Sequence, residues 1–270
     1  ALLGTSKSEF RNPTQTTVTF DIQNVDGYSW DFRNNDRTPT ITYPFDINSP
    51  TAWQWVSSPP SNSTGSEIRI RPLGSTNIFD TAQVNMAFIA DPNVTFKGGL
   101  SWKKFDFNTF EFRRASETSV PALPAGTTIA DISRALSGFG SGLGQSSPSG
   151  WLIPDLDKIA SLFNIYCNCN TGVPGGDFSL ASITNGNARG NNRMVVEEDT
   201  GGFLQVDFDV DFIGKPLRGN MGVRSAKPDI EATGYLATGG ALEVTVRNTY
   251  SDWLPSLNLA WSVHEDADLR

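Results

Sequence analysis

The feature that most constrains the fold is a strict two-residue alternation in the segment FLQVDFDVDF, residues 203–212. Its apolar members fall on one face of an extended chain: Leu204, Val206, Phe208, Val210 and Phe212. Its polar members fall on the other face: Gln205, Asp207, Asp209 and Asp211. This period of two predicts a β-strand but fits two environments. In a soluble sandwich the apolar row would face a core. In an outer-membrane barrel it would face lipid, with the aspartates in a wet lumen.

Charge and motif content argue against a nucleic-acid partner and against catalysis. The formal net charge is −8, and Lys103-Lys104 and Arg113-Arg114 are the only adjacent basic pairs. The sequence contains no Gly-x-Ser-x-Gly, His-Glu-x-x-His or Gly-Lys-Ser/Thr run. The single histidine, His264, lies in a predicted turn. Carboxylate pairs such as Asp155/Asp157 fit a helix cap better than a glycosidase site. We therefore expect neither an enzyme nor a cofactor.

Hydropathy leaves a membrane location open. No stretch approaches 18 consecutive apolar residues, which a transmembrane helix would need. A barrel strand needs only about 9–11 alternating residues and leaves the mean hydropathy low. The first residues, ALLGTSKSEF, lack the basic and apolar regions of a signal peptide, so we expect a chain that is mature or cut from something longer.

Two cysteines, Cys167 and Cys169, lie in the segment IYCNCNTGVPGG. Without a nearby histidine or further cysteine, the pair lacks the ligands of a structural zinc site. A disulfide between them would be strained, but it can form in an oxidising compartment. We interpret them as two loop thiols or a local bridge.

Short links alternate with very long ones along the chain. The short links are predicted at 90–93, at 213–216 and at 264–266. The long connections are 11–76, 106–193 and 227–241; loops longer than about 15 residues are uncommon in compact domains and usually functional. Helical spacing at 127–136, with Thr127 as cap, and at 154–166, with Asp155 as cap, predicts short helices in the second connection. Short strands are predicted in the first, at 16–22 and 67–73. The main strands are predicted near 1–10, 77–89, 94–105, 194–212, 217–227 and 242–261, with a last one beginning at Leu269.

The one-sided distribution of link lengths is typical of transmembrane β-barrels, which have short periplasmic turns and long extracellular loops. A soluble secreted β-sandwich that binds carbohydrate or protein would explain the alternation and the acidic charge. It would not explain why every second loop is long.

The segment NTYSDWLPSLNLAW (248–261) closely resembles a strand motif of TonB-dependent outer-membrane receptors, in the branch typical of Caulobacter-like and Xanthomonas-like bacteria. The matching residues are Tyr250, Asp252, Leu254, Pro255, Ser256, Leu257, Asn258 and Leu259, with Leu269 and Arg270 matching the strand that follows. Further similar segments are 6–13, 99–107, 151–166, 197–209 and 216–227. The resemblance therefore extends over essentially the whole of residues 1–270.

The resemblance implies an all-β fold: an antiparallel transmembrane β-barrel segment, part of a barrel of about 22 strands, with long extracellular loops containing short helices. About seven predicted strands cannot close such a barrel, and no plug-like or TonB-contacting stretch is visible. We therefore expect residues 1–270 to form a partial barrel domain in the bacterial outer membrane. Its expected partners are the remaining strands and plug of the receptor, the TonB complex, lipid and a small extracellular solute.

The resemblance also implies uptake of a scarce solute, with an oligosaccharide favoured over a siderophore or other iron chelate. Aromatic residues in the long loops are suited to stacking on sugars, although such residues also pack loops or form interfacial girdles. The candidates for ligand contact are Tyr28, Trp30, Trp53, Trp55, Trp151 and Tyr166. Trp102, Trp253 and Trp261 are assigned to a girdle or to strand packing. Asp207, Asp209 and Asp211 are expected to face the lumen, where they pair with a plug or line a solute path.

Overall fold

The computed structural model describes residues 1–22, 25–58, 65–139, 148–236, 240–264 and 267–270. The chain divides into two compact units. The sheet unit comprises Ala1–Arg11, Gly74–Phe110 and Arg189–Arg270, and the loop unit comprises Asn12–Leu73 and Glu111–Ala188. Each is described by itself below.

The sheet unit is built on one eight-stranded sheet with mostly antiparallel pairing. Its strands, in chain order, are β1 (Leu2–Asn12), β2 (Leu73–Asp91), β3 (Val94–Glu111), β4 (Arg193–Phe212), β5 (Lys215–Tyr235), β6 (Glu243–Thr249), β7 (Asp252–His264) and β8 (Ala267–Leu269). The order across the sheet is β1-β2-β3-β4-β5-β7-β8, and β6 also pairs with β5. The all-β prediction is confirmed at this level.

The register of β4 preserves the alternation read from the sequence. Val206 lies opposite Phe96 on β3 and Met221 on β5, whereas Asp207 lies opposite Thr95 and Asn220. Directly opposed residues of antiparallel strands point to the same face of a sheet. The apolar row of β4 therefore continues onto both neighbouring strands, and its acidic row lies on the opposite face.

Tight turns join the paired strands where turn chemistry predicts them. Pro92 and Asn93 connect β2 to β3, and Ile213 and Gly214 connect β4 to β5. Both residues of the second turn have positive φ angles, 53° and 70°, as a two-residue hairpin turn requires. The predicted turn at 264–266 is described only at His264, because Glu265 and Asp266 lie outside the described residues.

Several strand boundaries differ from the prediction. The strand predicted at 77–89 runs from Leu73 to Asp91, and the one predicted at 94–105 continues to Glu111. The single strand predicted at 242–261 is interrupted, because β6 and β7 are separate strands that pair with different parts of β5. The strand predicted at 217–227 continues to Tyr235, since its second half pairs with β4 and β6. The long connection predicted at 227–241 therefore shrinks to the residues between Tyr235 and Glu243.

The loop unit is made of short hairpins and helices. Its antiparallel strand pairs are Thr16–Thr19 with Glu67–Ile70, Ser29–Asp31 with Thr40–Thr42, Arg113–Arg114 with Leu180–Ala181, and Ser133–Leu136 with Trp151–Pro154. Its α-helix α1 is Leu156–Phe163, and 3-10 turns lie at Pro50–Ala52 and Ile129–Ile132. A second short helix, α2, is Gly186–Arg189, and its last residue, Arg189, belongs to the sheet unit. The hydrophobic core consists of Trp55, Ile68, Ile70, Val120, Ile132, Ile159, Ile165 and Phe178.

One helix prediction is confirmed and one is wrong. Asp155 caps α1 by accepting a hydrogen bond from the Lys158 backbone N–H. The segment 127–136 forms only a 3-10 turn, with Thr128 rather than Thr127 as its cap. It then continues as a strand, because Ser133–Leu136 finds an antiparallel partner in Trp151–Pro154. Within the described ranges, no helix is both long enough and apolar enough to cross a membrane.

Candidate functional site

An apolar band runs across one face of the sheet unit. It comprises alternate residues of neighbouring strands in register: Val94, Phe96 and Leu100 on β3, Leu204, Val206 and Phe208 on β4, Met221 and Val223 on β5, and Pro255, Leu257 and Leu259 on β7. Several of its large side chains are exposed in the described chain, with Leu204 at 70% and Leu257 at 62%. An apolar surface of this extent is normally covered by another protein surface or by lipid.

Tryptophans mark both limits of the apolar band. Trp102 on β3 lies opposite Thr200, and its indole Nε1 donates to Glu198 over 2.8 Å. On β7, Trp253 and Trp261 lie at either end of a nine-residue segment. The Trp261 ring contacts that of Phe212 at 5.8 Å between centroids. Measured along β7, the apolar band therefore extends over about nine residues, and aromatic rings lie at both of its limits.

Charged residues begin on the same face immediately beyond the upper tryptophans. Lys104 is opposite Glu198 in the register of β3 and β4, and Asp229 is opposite Glu198 in that of β4 and β5. On β5 the charged residues begin one pair earlier, at Lys227 opposite Thr200, so the change from aliphatic to charged side chains occurs within one residue pair on three adjacent strands. It therefore limits a band across the sheet rather than a patch on one strand.

The opposite face of the sheet carries polar and ionic contacts. Asp207 forms an ion pair with Lys97 and accepts a hydrogen bond of 2.6 Å from Gln205 Nε2. The amide of Asn258 donates to Asn220 over 2.9 Å. Asp209 and Asp211 share this face with Asp207 and are exposed. The three aspartates are therefore on the polar face, as the alternation predicts.

A run of five aromatic rings lies in the loop unit. The rings follow one another in the order Trp30, Tyr28, Tyr43, Phe45 and Trp53, with successive centroids separated by 6.2, 5.6, 5.9 and 5.5 Å. We call these five residues the aromatic run. Its outer end is open to solvent, since Trp30 is 66% exposed and Tyr28 is half exposed. Its inner end is half-buried, and Trp53 Nε1 donates to the Ile47 carbonyl over 3.1 Å.

The aromatic run brings together three of the six predicted contact residues and adds two that the sequence interpretation missed. The missed residues are Tyr43 and Phe45, which lie two apart in the segment ITYPF. Their spacing was a usable signal, because alternate residues of an extended segment point the same way. The strand pair Ser29–Asp31 and Thr40–Thr42 explains the juxtaposition, since Trp30 lies opposite Ile41.

The other three predicted contact residues lie elsewhere in the loop unit. Trp55 is only 9% exposed, stacks on Phe163 and donates from Nε1 to the Pro121 carbonyl over 2.8 Å. Its indole therefore packs in the core rather than facing solvent. Trp151 is half-buried against Phe139, with ring centroids 5.1 Å apart. The exposed Tyr166 uses its hydroxyl to donate to Thr16 Oγ1.

Asp31, which follows Trp30 in the sequence, forms an ion pair with Arg33. The Arg33 guanidinium donates two hydrogen bonds of 2.9 Å and one of 2.6 Å to the Asp31 carboxylate. These bonds, together with the hydrogen bond from the Arg33 backbone N–H, lower the pKa of Asp31 to about 2. Asp31 is therefore ionised at neutral pH, and both of its carboxylate oxygens accept hydrogen bonds from Arg33.

Arg114 is the central buried cation of the loop unit. Its guanidinium donates to the carbonyls of Asp177, Ile68, Ser119 and Gly175 over 2.9 to 3.1 Å and lies 4.5 Å above the Phe178 ring. Burial lowers its pKa to about 10. Because all its contacts are to backbone and to an aromatic ring, Arg114 organises loops rather than a phosphate site.

Cys167 and Cys169 are joined by a disulfide, with the sulfur atoms 2.15 Å apart. The half-buried Cys167 packs against the hydrophobic core of the loop unit. Among the described residues there is no group of three or more His, Cys, Asp or Glu side chains arranged to hold a metal ion.

Comparison with known proteins adds no relative, since no family model, curated protein or solved structure matches this chain.

Proposed function

We propose that this chain forms part of the wall of an outer-membrane active-transport receptor, which binds a scarce extracellular solute and imports it with energy relayed by TonB. The observation that carries the proposal is the apolar band. It lies on one face of a single sheet, it is exposed, and its opposite face is polar. A β-strand that crosses a bilayer needs this combination, with lipid on one side and water on the other.

The dimensions of the apolar band support a membrane location. The segments from Val94 to Trp102 and from Trp253 to Trp261 each contain nine residues. A tilted strand crosses the hydrocarbon core in about 9–11 residues, and Trp and Tyr concentrate at the two interfaces. Trp102 and Trp253 at one limit and Trp261 at the other then belong to the two interfacial girdles.

The edges of the sheet support a larger barrel. In the described sheet, β1 and β8 each have one neighbouring strand. An open edge exposes unpaired N–H and C=O groups, each of which costs several kcal/mol in lipid. Further strands of the same receptor would pair with these edges and close the barrel, around a plug that faces Asp207, Asp209 and Asp211.

The aromatic run supports a carbohydrate as the solute. Exposed rings such as those of Trp30 and Tyr28 offer flat apolar faces for sugar rings. An iron chelate is the second candidate, favoured by the general use of this receptor class. A screen with the purified full-length receptor tests the preference for a carbohydrate: oligosaccharide binding supports it, and binding of a ferric chelate alone reverses it.

The lipid-facing assignment is tested by spin labels placed one at a time at positions 204–211 of the full chain in its native membrane fraction. We expect collisions with oxygen, which concentrates in lipid, to be highest at 204, 206, 208 and 210. Collisions with a water-soluble nickel chelate should be highest at the odd positions. Equal access of the nickel chelate to both sets, or exclusion of both reagents from the even set, would favour the soluble sandwich.

A further inference from the structure

A cavity of about 450 Å³ lies on the polar face of the sheet unit. This volume falls in the range of small-molecule sites, about 300–1,000 Å³. Its polar side chains are Gln83, Asn85, Ser101, Lys103, Gln205, Arg224 and Ser256. We call it the polar-face cavity. It is separate from the aromatic run, which belongs to the loop unit.

Glycine shapes the floor of the polar-face cavity. Gly99 on β3 lies opposite Phe203 on β4. A Cβ added at Gly99 would lie 2.3 Å from Asn85 Oδ1 and 2.6 Å from Phe203 Cε1. The Phe203 ring therefore occupies the space that a side chain at position 99 would need. It gives the cavity an apolar surface against which the ring of a ligand can pack.

Two cations line the polar-face cavity without protein partners. The side chains of Lys103 and Arg224 make no hydrogen bond or ion pair with any residue of the described ranges. The nearby acid Asp207 is already paired with Lys97. Asp199 lies opposite Lys103 in the register, but no ion pair joins them. The lining of the cavity contains these two cations and no acidic side chain, although Asp199 and Asp252 lie beside it on the same face.

We propose that the polar-face cavity binds the carboxylate of an acidic sugar. The Arg224 guanidinium can hold a carboxylate through two parallel hydrogen bonds, and Lys103 adds a point charge. The amides of Gln83, Asn85 and Gln205 supply donors and acceptors for hydroxyl groups. The Phe203 ring supports the apolar face of the sugar ring. This inference rests on the proposed solute uptake and narrows its substrate to carboxylate-bearing carbohydrates.

Calorimetric titration of the full-length receptor in detergent micelles tests the proposal, with digalacturonate as the probe and neutral digalactose as its uncharged counterpart. We expect digalacturonate to bind at least about tenfold more tightly than digalactose, because the charged hydrogen bonds form only with the acid. Its affinity should fall as NaCl is raised from about 50 to about 500 mM, since salt screens exposed charges. Equal affinities for the two sugars would overturn the proposal.

A matched pair of double variants locates the binding. The first double variant, Lys103→Gln with Arg224→Gln, removes both cavity cations. It should abolish the preference for digalacturonate over digalactose. The control double variant, Lys104→Gln with Lys227→Gln, makes the same charge change on the same two strands but on the opposite face of the sheet. It should leave the preference for digalacturonate intact. Equal losses in both double variants would overturn the site. If the first double variant fails to fold, the salt dependence of digalacturonate binding to the unaltered protein becomes the test, and an affinity that does not change with NaCl would overturn the proposal.

The test separates this inference from the proposed function. Titration in detergent reports on the polar-face cavity, whereas the spin-label pattern reports on the lipid-facing band. A chain that shows the alternating spin-label pattern but does not discriminate between the two sugars refutes the acidic-sugar site alone.

Discussion

At the scale of single residues, exposure separates two tryptophans that the sequence pattern groups together. Trp30 ends the aromatic run in solvent, whereas Trp55 lies in the core of the loop unit. Trp30→Ala should lower oligosaccharide affinity roughly tenfold, because it removes one stacking face. It should leave the unfolding midpoint nearly unchanged. Trp55→Ala should cost about 3–5 kcal/mol of unfolding free energy, because it opens a cavity. Denaturant unfolding and sugar titration of both variants check this contrast; equal destabilisation by the two would contradict it.

Arg114 is the residue on which the loop unit depends most. It is 1% exposed and donates to four backbone carbonyls. Arg114→Met should cost about 3 kcal/mol or more, because several buried carbonyls lose their donor at once. Guanidinium unfolding followed by tryptophan fluorescence measures the loss. Exposed Arg134→Met is the control and should change stability by less than about 0.5 kcal/mol. A similar small effect at Arg114 would mean that water replaces its contacts.

At the scale of elements, the cap of α1 makes a local prediction. The Asp155 carboxylate accepts a hydrogen bond from the Lys158 N–H over 3.3 Å. Asp155→Ala should lower the unfolding free energy by about 1 kcal/mol, because one N–H at the helix start loses its acceptor. Asp155→Asn keeps an oxygen acceptor and should be nearly neutral. Thermal unfolding of both variants is the measurement, and indistinguishable midpoints for them would show that the cap bond contributes little.

The elements predicted correctly are those whose signal is local. Strict alternation of apolar and polar residues predicts β4. Asp155, followed by apolar residues at helical spacing, predicts α1. The helix predicted at 127–136 does not form, because its second half pairs with a strand partner, Trp151–Pro154, that is distant in sequence. The length of β5 was underestimated for the same reason, since its second half is determined by pairing with β4 and β6.

The candidate site was predictable in part. The face of the sheet on which Asp207 lies follows from the two-residue alternation alone. The aromatic run does not, because it depends on the pairing of Ser29–Asp31 with Thr40–Thr42. The burial of Trp55 depends in addition on contacts with Phe20 and on stacking with Phe163, more than 100 residues away along the chain. The spacing of residues within a short segment does not predict contacts of this kind.

At the scale of the whole molecule, the decisive property is the asymmetry between the two faces of the sheet. Leu257 lies at the centre of the nine residues from Trp253 to Trp261, and the neighbouring Asn258 lies on the polar face. If the apolar band lies in lipid, Leu257→Arg places a charge at the bilayer midplane and should cost about 2–4 kcal/mol of folding free energy in phospholipid vesicles. Asn258→Arg introduces the same side chain one residue away and should cost less than about 1 kcal/mol, because it faces water. Reversible urea unfolding in vesicles measures both. Equal costs, or a Leu257→Arg chain that becomes monomeric and stable in buffer without detergent, would mean that water rather than lipid covers this face.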